Sequence, residues 1–135
     1  MKLSPNFTLE EMTRTSYPWL QKEPSVQAVV NLTRLCALIL QPLRDALGCP
    51  VRVTSGFRSE RLNAYVGGVP DSYHRLGLAA DIHVNNDAHA RRMFDILKGN
   101  PYVDKCLFEH KNGVKWLHVQ TSLYPRHKYN FNYIP

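Results

Sequence analysis

The chain has 135 residues, 44% of them apolar and 21% charged, with a net charge of +6 and an isoelectric point near 9.4. That length fits one domain with a real core, and the composition is that of an ordinary globular protein without low-complexity tracts or internal repeats. The positive balance favours anionic partners such as nucleic acid, anionic lipid or the acidic polymers of a bacterial wall. The basic residues are scattered, however, with only Arg91 and Arg92 adjacent, and no nucleic-acid-reading motif is present.

Thr8-Leu9-Glu10-Glu11 has the form of a capping box, in which the Thr8 hydroxyl accepts from the Glu11 amide and the Glu11 side chain reaches back. A short helix is predicted from there to about Arg14. Pro18 and Pro24 bracket a loop, and Ser25 is the expected N-cap of the main helix, with apolar residues from Val26 to Leu47. Pro42 should kink that helix, because it lacks an amide proton and its ring crowds the preceding turn. Gly48 should end it.

Val51 to Thr54 alternates like a strand, and Ser59 caps a short helix to about Val66. Gly67-Gly68-Val69-Pro70 is a loop by composition. Leu78 to Val84 has the apolar run of a buried strand. Asn86 or Asp87 caps a further helix to about Lys98, stopped by Gly99-Asn100-Pro101. The tail from Pro125 is rich in Tyr, Asn and His and carries no assignable element. Helices first and a mostly antiparallel sheet afterwards make an α+β fold, N-terminal helices packed on the sheet, with residues 1–135 forming a single domain.

Cys106 to His110 and Val114 to Gln120 flank Lys111-Asn112-Gly113, and Asn-Gly between β-prone runs is a strong hairpin signal. A two-residue turn at Asn112-Gly113 pairs Lys111 with Val114, Glu109 with Trp116 and Leu107 with His118. Because side chains alternate along a strand, Glu109, Trp116 and His118 then share one face and His110 points to the other. Glu109 and His118 become diagonal neighbours about 7–8 Å apart.

Cys36, Cys49 and Cys106 are an odd set with no Cys-x-x-Cys spacing, which argues against both a disulfide framework and a thiolate zinc site. Cys36 reads as a core residue. The metal-binding candidates are imidazoles and a carboxylate. His74 follows the glycine-rich loop, Asp81 sits inside an apolar strand, and His118 lies on the second hairpin strand. A carboxylate buried in such a strand needs a cation or several donors; Arg52, Arg58 or Arg75 could also satisfy it. Two imidazoles and one carboxylate suit zinc, and three protein ligands with one open position mark a catalytic rather than a structural site. Gly77 and Ala79 are small enough to let the backbone approach an ion, and Ser72 is placed to hydrogen-bond a ligand. His83, two residues after Asp81 on the same strand face, is an alternative ligand for His74 or His118. His89 and His127 read as exposed, and His110 as a hairpin-surface residue.

Ser72-x-His74-x-x-Gly77-x-Ala79-x-Asp81 resembles, position for position, the signature of the D-Ala-D-Ala metallopeptidases, which include zinc D-Ala-D-Ala carboxypeptidases and the L-alanyl-D-glutamate endopeptidases used as phage endolysins. Trp116-x-His118 resembles that family's third-ligand segment. Thr54-Ser55-Gly56-Phe57-Arg58 resembles its Ser-Gly-Tyr-Arg segment, and Asn63 and Gly67-Gly68 sit where many small members carry them. The resemblance spans roughly residues 5–122. It implies a Hedgehog/DD-peptidase-like fold, a Zn²⁺ cofactor held by His74, Asp81 and His118, and a substrate-facing Arg58.

One position departs from that pattern. Several members carry Glu or Asp as general base three residues before the last histidine, where this chain has Lys115. The hairpin register nominates Glu109 instead, with His83 or His110 as substitutes. The expected activity is hydrolysis of an amide in the peptide stem of peptidoglycan, by a DD-carboxypeptidase or an L-Ala-D-Glu-type endopeptidase. The alternative is a non-catalytic zinc-bearing module that grips peptidoglycan or belongs to a virion. The N-terminal segment lacks the apolar run of a signal peptide, and no stretch approaches 18 uncharged apolar residues. Synthesis in the cytoplasm and action on the wall after release, or as part of a virion, are the matching expectations.

Overall fold

The structure is a computed structural model and describes residues 1–133. A small antiparallel pair, β1 (Lys2–Ser4) and β2 (Phe7–Thr8), leads into α1 (Leu9–Thr13). Thr8 caps α1 as expected, its hydroxyl accepting from the Glu11 amide at 3.1 Å. Ser25 opens α2 (Val26–Leu35), accepting from the Ala28 amide at 3.1 Å, and the helical run continues through α3 (Gln41–Leu47) to Gly48, which adopts φ 76°.

The kink expected at Pro42 takes the form of a π-helical turn over Cys36–Leu40, where the Gln41 amide donates to the Cys36 carbonyl five residues back. Pro42 has no N–H to offer the Leu38 carbonyl. The Asn100 side-chain amide donates to that carbonyl instead, at 2.8 Å, tying the helix to a loop 62 residues away. By length and composition the whole run Val26–Leu47 is apolar enough to cross a bilayer, which the sequence reading did not anticipate. Here its inner stripe, including Leu32, Leu35, Ile39, Leu40 and Leu43, lies in the protein core.

The main sheet has five strands in the order β3-β4-β6-β5-β7. They are β3 (Val53–Ser55), β4 (Ala79–His83), β5 (Val103–Lys111), β6 (Val114–Thr121) and β7 (Lys128–Tyr133). The four strands β3, β4, β6 and β5 pair antiparallel, and β7 adds to β5 in parallel. The β5–β6 hairpin turns at Asn112 (φ 52°) and Gly113 (φ 77°). Its register is the one expected: Lys111 opposite Val114, Glu109 opposite Trp116, Leu107 opposite His118. Within the tail that carried no assignable element, Lys128–Tyr133 form the edge strand β7, and residues 134–135 lie outside the described residues.

Alternation divides the sheet into two faces. One presents Ile82, Leu117, Val119, Cys106 and Phe108 to a core shared with α2, α3 and α5 (Asp87–Lys98), which Asn86 caps. The other presents Asp81, His118, Trp116 and Glu109, brought side by side by the pairings Asp81–His118 and Glu109–Trp116. The loop that follows the short helix α4 (Glu60–Tyr65), which Ser59 caps, and a 3₁₀ turn at Tyr73–Leu76 complete the wall beside that polar face. Gly77, at φ 75°, ends the 3₁₀ turn. A Cβ there would stand 2.6 Å from the Ala28 carbonyl, so its smallness serves close approach to α2, not to an ion. All three cysteines are free, and burial pushes the Cys36 thiol up to about 12.

Candidate metal centre

His74, Asp81 and His118 converge. Each offers one ligand atom, and the three atoms lie within 4.8 Å of one another. His74 Nε2 is 3.3 Å and His118 Nδ1 is 3.1 Å from the same oxygen, Asp81 Oδ1. Ligand atoms about 2.0–2.1 Å from a tetrahedral zinc stand about 3.3 Å apart, so these separations match.

The hydrogen bonds behind the triad decide which atoms face inward. His74 Nδ1 lies 2.7 Å from the Gly56 carbonyl, which only accepts, so Nδ1 carries the proton and Nε2 is left bare. His118 Nε2 lies 2.7 Å from Gln120 Oε1. The Gln120 amide nitrogen donates to Asp104 at 2.8 Å, and a carboxylate only accepts, so Gln120 cannot flip. His118 therefore donates through Nε2 and turns a bare Nδ1 inward. In the neutral imidazoles two lone pairs then face a carboxylate oxygen across about 3 Å, an arrangement that calls for a cation between them.

Electrostatics agree. Burial pushes the His74 imidazole below its ordinary pKa, against the pull of Asp81. Burial also opposes the charge on Asp81, but the two imidazoles beside it hold its carboxyl far below the usual carboxylate range. His118 is half-buried, which lowers it, yet its contacts with Asp81 and Gln120 win and raise it.

Neighbouring residues fix the ligands. Ser72 accepts from the His74 amide at 3.2 Å, so it shapes the turn that carries His74 and does not touch a ligand side chain. Arg58 does not stand free toward the cleft. It donates to Ser55 at 2.9 Å, to Asn63 at 3.3 Å and to Asp81 Oδ2 at 3.1 Å, which leaves two of a guanidinium's five N–H bonds for other partners. Asn63, buried, also donates to the Val69 carbonyl at 2.8 Å and so ties the glycine loop to Arg58.

The triad opens into a cleft of about 550 Å³, whose walls include Arg58, Tyr73, Lys105, Glu109, Trp116 and Arg126. Glu109 lies on the cleft side, and the Trp116 indole N–H donates to its carboxylate at 2.7 Å. Trp116 therefore holds the Glu109 carboxylate in place. Burial raises the Glu109 pKa above 4.5, only partly offset by His118 and by the indole.

Several histidines sit elsewhere. His83 lies up the strand from the triad, 3.2 Å from Asn85, and is not among the converging ligands. His110 is half-buried with its ring 4.5 Å from that of Phe108, and not simply on the hairpin surface. His89 is likewise half-buried; its Nδ1 accepts from the Asn85 amide at 3.0 Å. Lys115 pairs with Asp87 at 2.9 Å, on the strand face opposite His118. In this register a carboxylate at position 115 would not face the cleft. Gln120 and Asp104 were missed in the sequence. The signal was there: Gln120 lies two residues beyond His118, on the same strand face.

Two imidazoles and a carboxylate converging beside a cleft with a half-buried glutamate have the form of a hydrolytic metal site. The chain belongs to the peptidase M15 family, whose model matches residues 5–120. It is similar to the zinc D-Ala-D-Ala carboxypeptidase of Streptomyces albus G, at 36% identity over 78 residues, which make up 57% of this chain and 31% of that protein. The matched stretch thus spans under a third of the relative's length.

Proposed function

We propose that this protein is a zinc-dependent hydrolase that cleaves an amide in the peptide stem of bacterial peptidoglycan, with residues 1–135 forming one peptidase domain. The observation that carries the reading is the inward convergence of two imidazole nitrogens on one carboxylate oxygen at 3.1–3.3 Å, facing an open cleft. Family membership and the similarity to a zinc D-Ala-D-Ala carboxypeptidase support the same chemistry.

His74, Asp81 and His118 would hold the zinc, through Nε2, Oδ1 and Nδ1. Bound there, zinc supplies Lewis acidity toward a carbonyl and makes water a better nucleophile near neutral pH. Gly56 and Gln120 keep the two imidazoles in the ligating tautomer. Arg58 orients the Asp81 carboxylate and turns its remaining N–H bonds toward the oxygen that becomes negative during attack. Glu109 takes the proton from the attacking water and returns it to the leaving amine, and Trp116 fixes the carboxylate for that exchange. Because Lys115 faces Asp87, its lack of a carboxylate does not remove a base from the cleft.

Mass spectrometry of purified peptidoglycan after digestion tests the proposal. Loss of terminal alanine marks carboxypeptidase action, and a new amino terminus within the stem marks endopeptidase action. A strong chelator should abolish either product, and added zinc should restore it. Intact stems at all zinc levels would favour a binding module instead.

A further inference from the structure

The cleft has a second cationic feature that the hydrolytic chemistry leaves unused. Asp104 is fully buried at the start of β5, where burial alone would raise its pKa, yet Arg126 and Gln120 hold it far below the usual carboxylate range. Arg126 Nε donates to one Asp104 oxygen at 3.0 Å and Nη2 to the other at 2.7 Å, and the Arg126 backbone amide adds a bond of 2.9 Å. Such a two-pronged grip fixes the plane of the guanidinium. Even so, the Arg126 side chain is 43% exposed and lines the cleft, and its Nη1 has no hydrogen-bond partner among the described residues. Tyr73, next to His74, lines the cleft as well.

The bonds Arg126–Asp104–Gln120–His118 also place this cation one short relay from the metal centre. A guanidinium gripped from behind by a buried anion and bared in front to a cleft is preorganised for a planar anion. Lys105 adds a second positive charge to the cleft lining.

We propose that Arg126 is a substrate-anchoring residue that binds a carboxylate of the peptide, with Asp104 holding it in position. The proposal rests on the peptidase reading for the kind of ligand, but not on turnover. The carboxylate is either the C-terminal one of the stem or the free α-carboxylate of a γ-linked glutamate, two sources of one chemistry.

Calorimetric titration of the zinc-loaded protein with two peptide pairs distinguishes them. One pair is N-acetyl-D-Ala-D-Ala as free acid and as carboxamide. The other is N-acetyl-L-Ala-γ-D-Glu with its α-carboxylate free or amidated and its far end blocked. In one pair the acid should bind about 10- to 100-fold more tightly than the amide, the range expected for a hydrogen-bonded charge pair. That ratio should fall to near 1 in Arg126→Gln, with amide binding unchanged. Arg126→Lys, which keeps a charge for Asp104 but loses the fork, should give an intermediate ratio, and it decides the matter if the Gln variant does not fold. Equal binding of acid and amide by the native protein in both pairs, or no binding at all, overturns the proposal; so does a ratio that survives both substitutions. Turnover of the same peptides is read separately, so a failure of hydrolysis does not mimic a failure of anchoring.

Discussion

At the residue scale, the site depends on which atom of each side chain faces inward. The sequence pointed to His74, Asp81 and His118 because a carboxylate in an apolar strand needs a cation, and because their spacing resembles a family signature. Gln120 was legible, two residues beyond His118 on the same face, but not the Gly56 bond to His74 across 18 positions nor the Asp104 bond that fixes the Gln120 amide across 16. The sequence marked Arg58 both as a substrate-facing residue and as a partner for Asp81; the Asp81 bond is present, joined by bonds to Ser55 and Asn63. Asp104→Asn keeps one acceptor; with that oxygen turned to the Arg126 amide and Nε, its N–H faces Gln120, so Gln120 is free to flip and His118 to change tautomer. Zinc affinity, measured by competition with a coloured chelator, should weaken about 10- to 100-fold, as for other partners of metal-bound histidines. Glu109→Gln should keep the zinc and lower kcat by about 10²–10⁴-fold. The sign of its pH dependence follows from burial. A base whose pKa is raised is protonated, and idle, until pH rises through that higher value. The acid limb of kcat/KM should therefore lie above the range of an ordinary glutamate in the native protein, and the residual rate of the Gln variant should not show it.

At the element scale, local rules carried far. The capping residues Thr8, Ser25, Ser59 and Asn86 all start helices, and Asn112-Gly113 fixed the hairpin register residue by residue. What escaped were pairings made at long range. The strand β7 is an edge strand joined in parallel to β5, and a parallel partner leaves no turn signal in the sequence. Its Phe131 ring lies 5.1 Å from Phe94 and 4.7 Å from Phe108, contacts that no local pattern announces. The π-helical turn before Pro42 was legible as a kink, but the partner of the Leu38 carbonyl was not. Asn100→Ala removes that partner and should destabilise the fold by about 1 kcal/mol in urea unfolding, with no change in zinc affinity.

At the scale of the whole molecule, one sheet serves two purposes. Its apolar face closes the core with the helices, and its polar face carries the candidate ligands Asp81 and His118 on strands β4 and β6, where pairing on both sides holds them still. The ligand set spans residues 74–118, so an ion bound there cross-links the 3₁₀ turn to two strands and stabilises only the folded chain. Zinc at about 100 times its dissociation constant should add about 2.7 kcal/mol, which corresponds to a rise of roughly 10 °C in Tm for a chain of this size. The most direct test of the account is the zinc content of the purified protein after dialysis against limiting zinc. The account predicts one zinc per chain in the native protein and little in Asp81→Asn or His118→Ala, each still folded by circular dichroism. A native protein that binds no zinc, or variants that retain it in full, would contradict it.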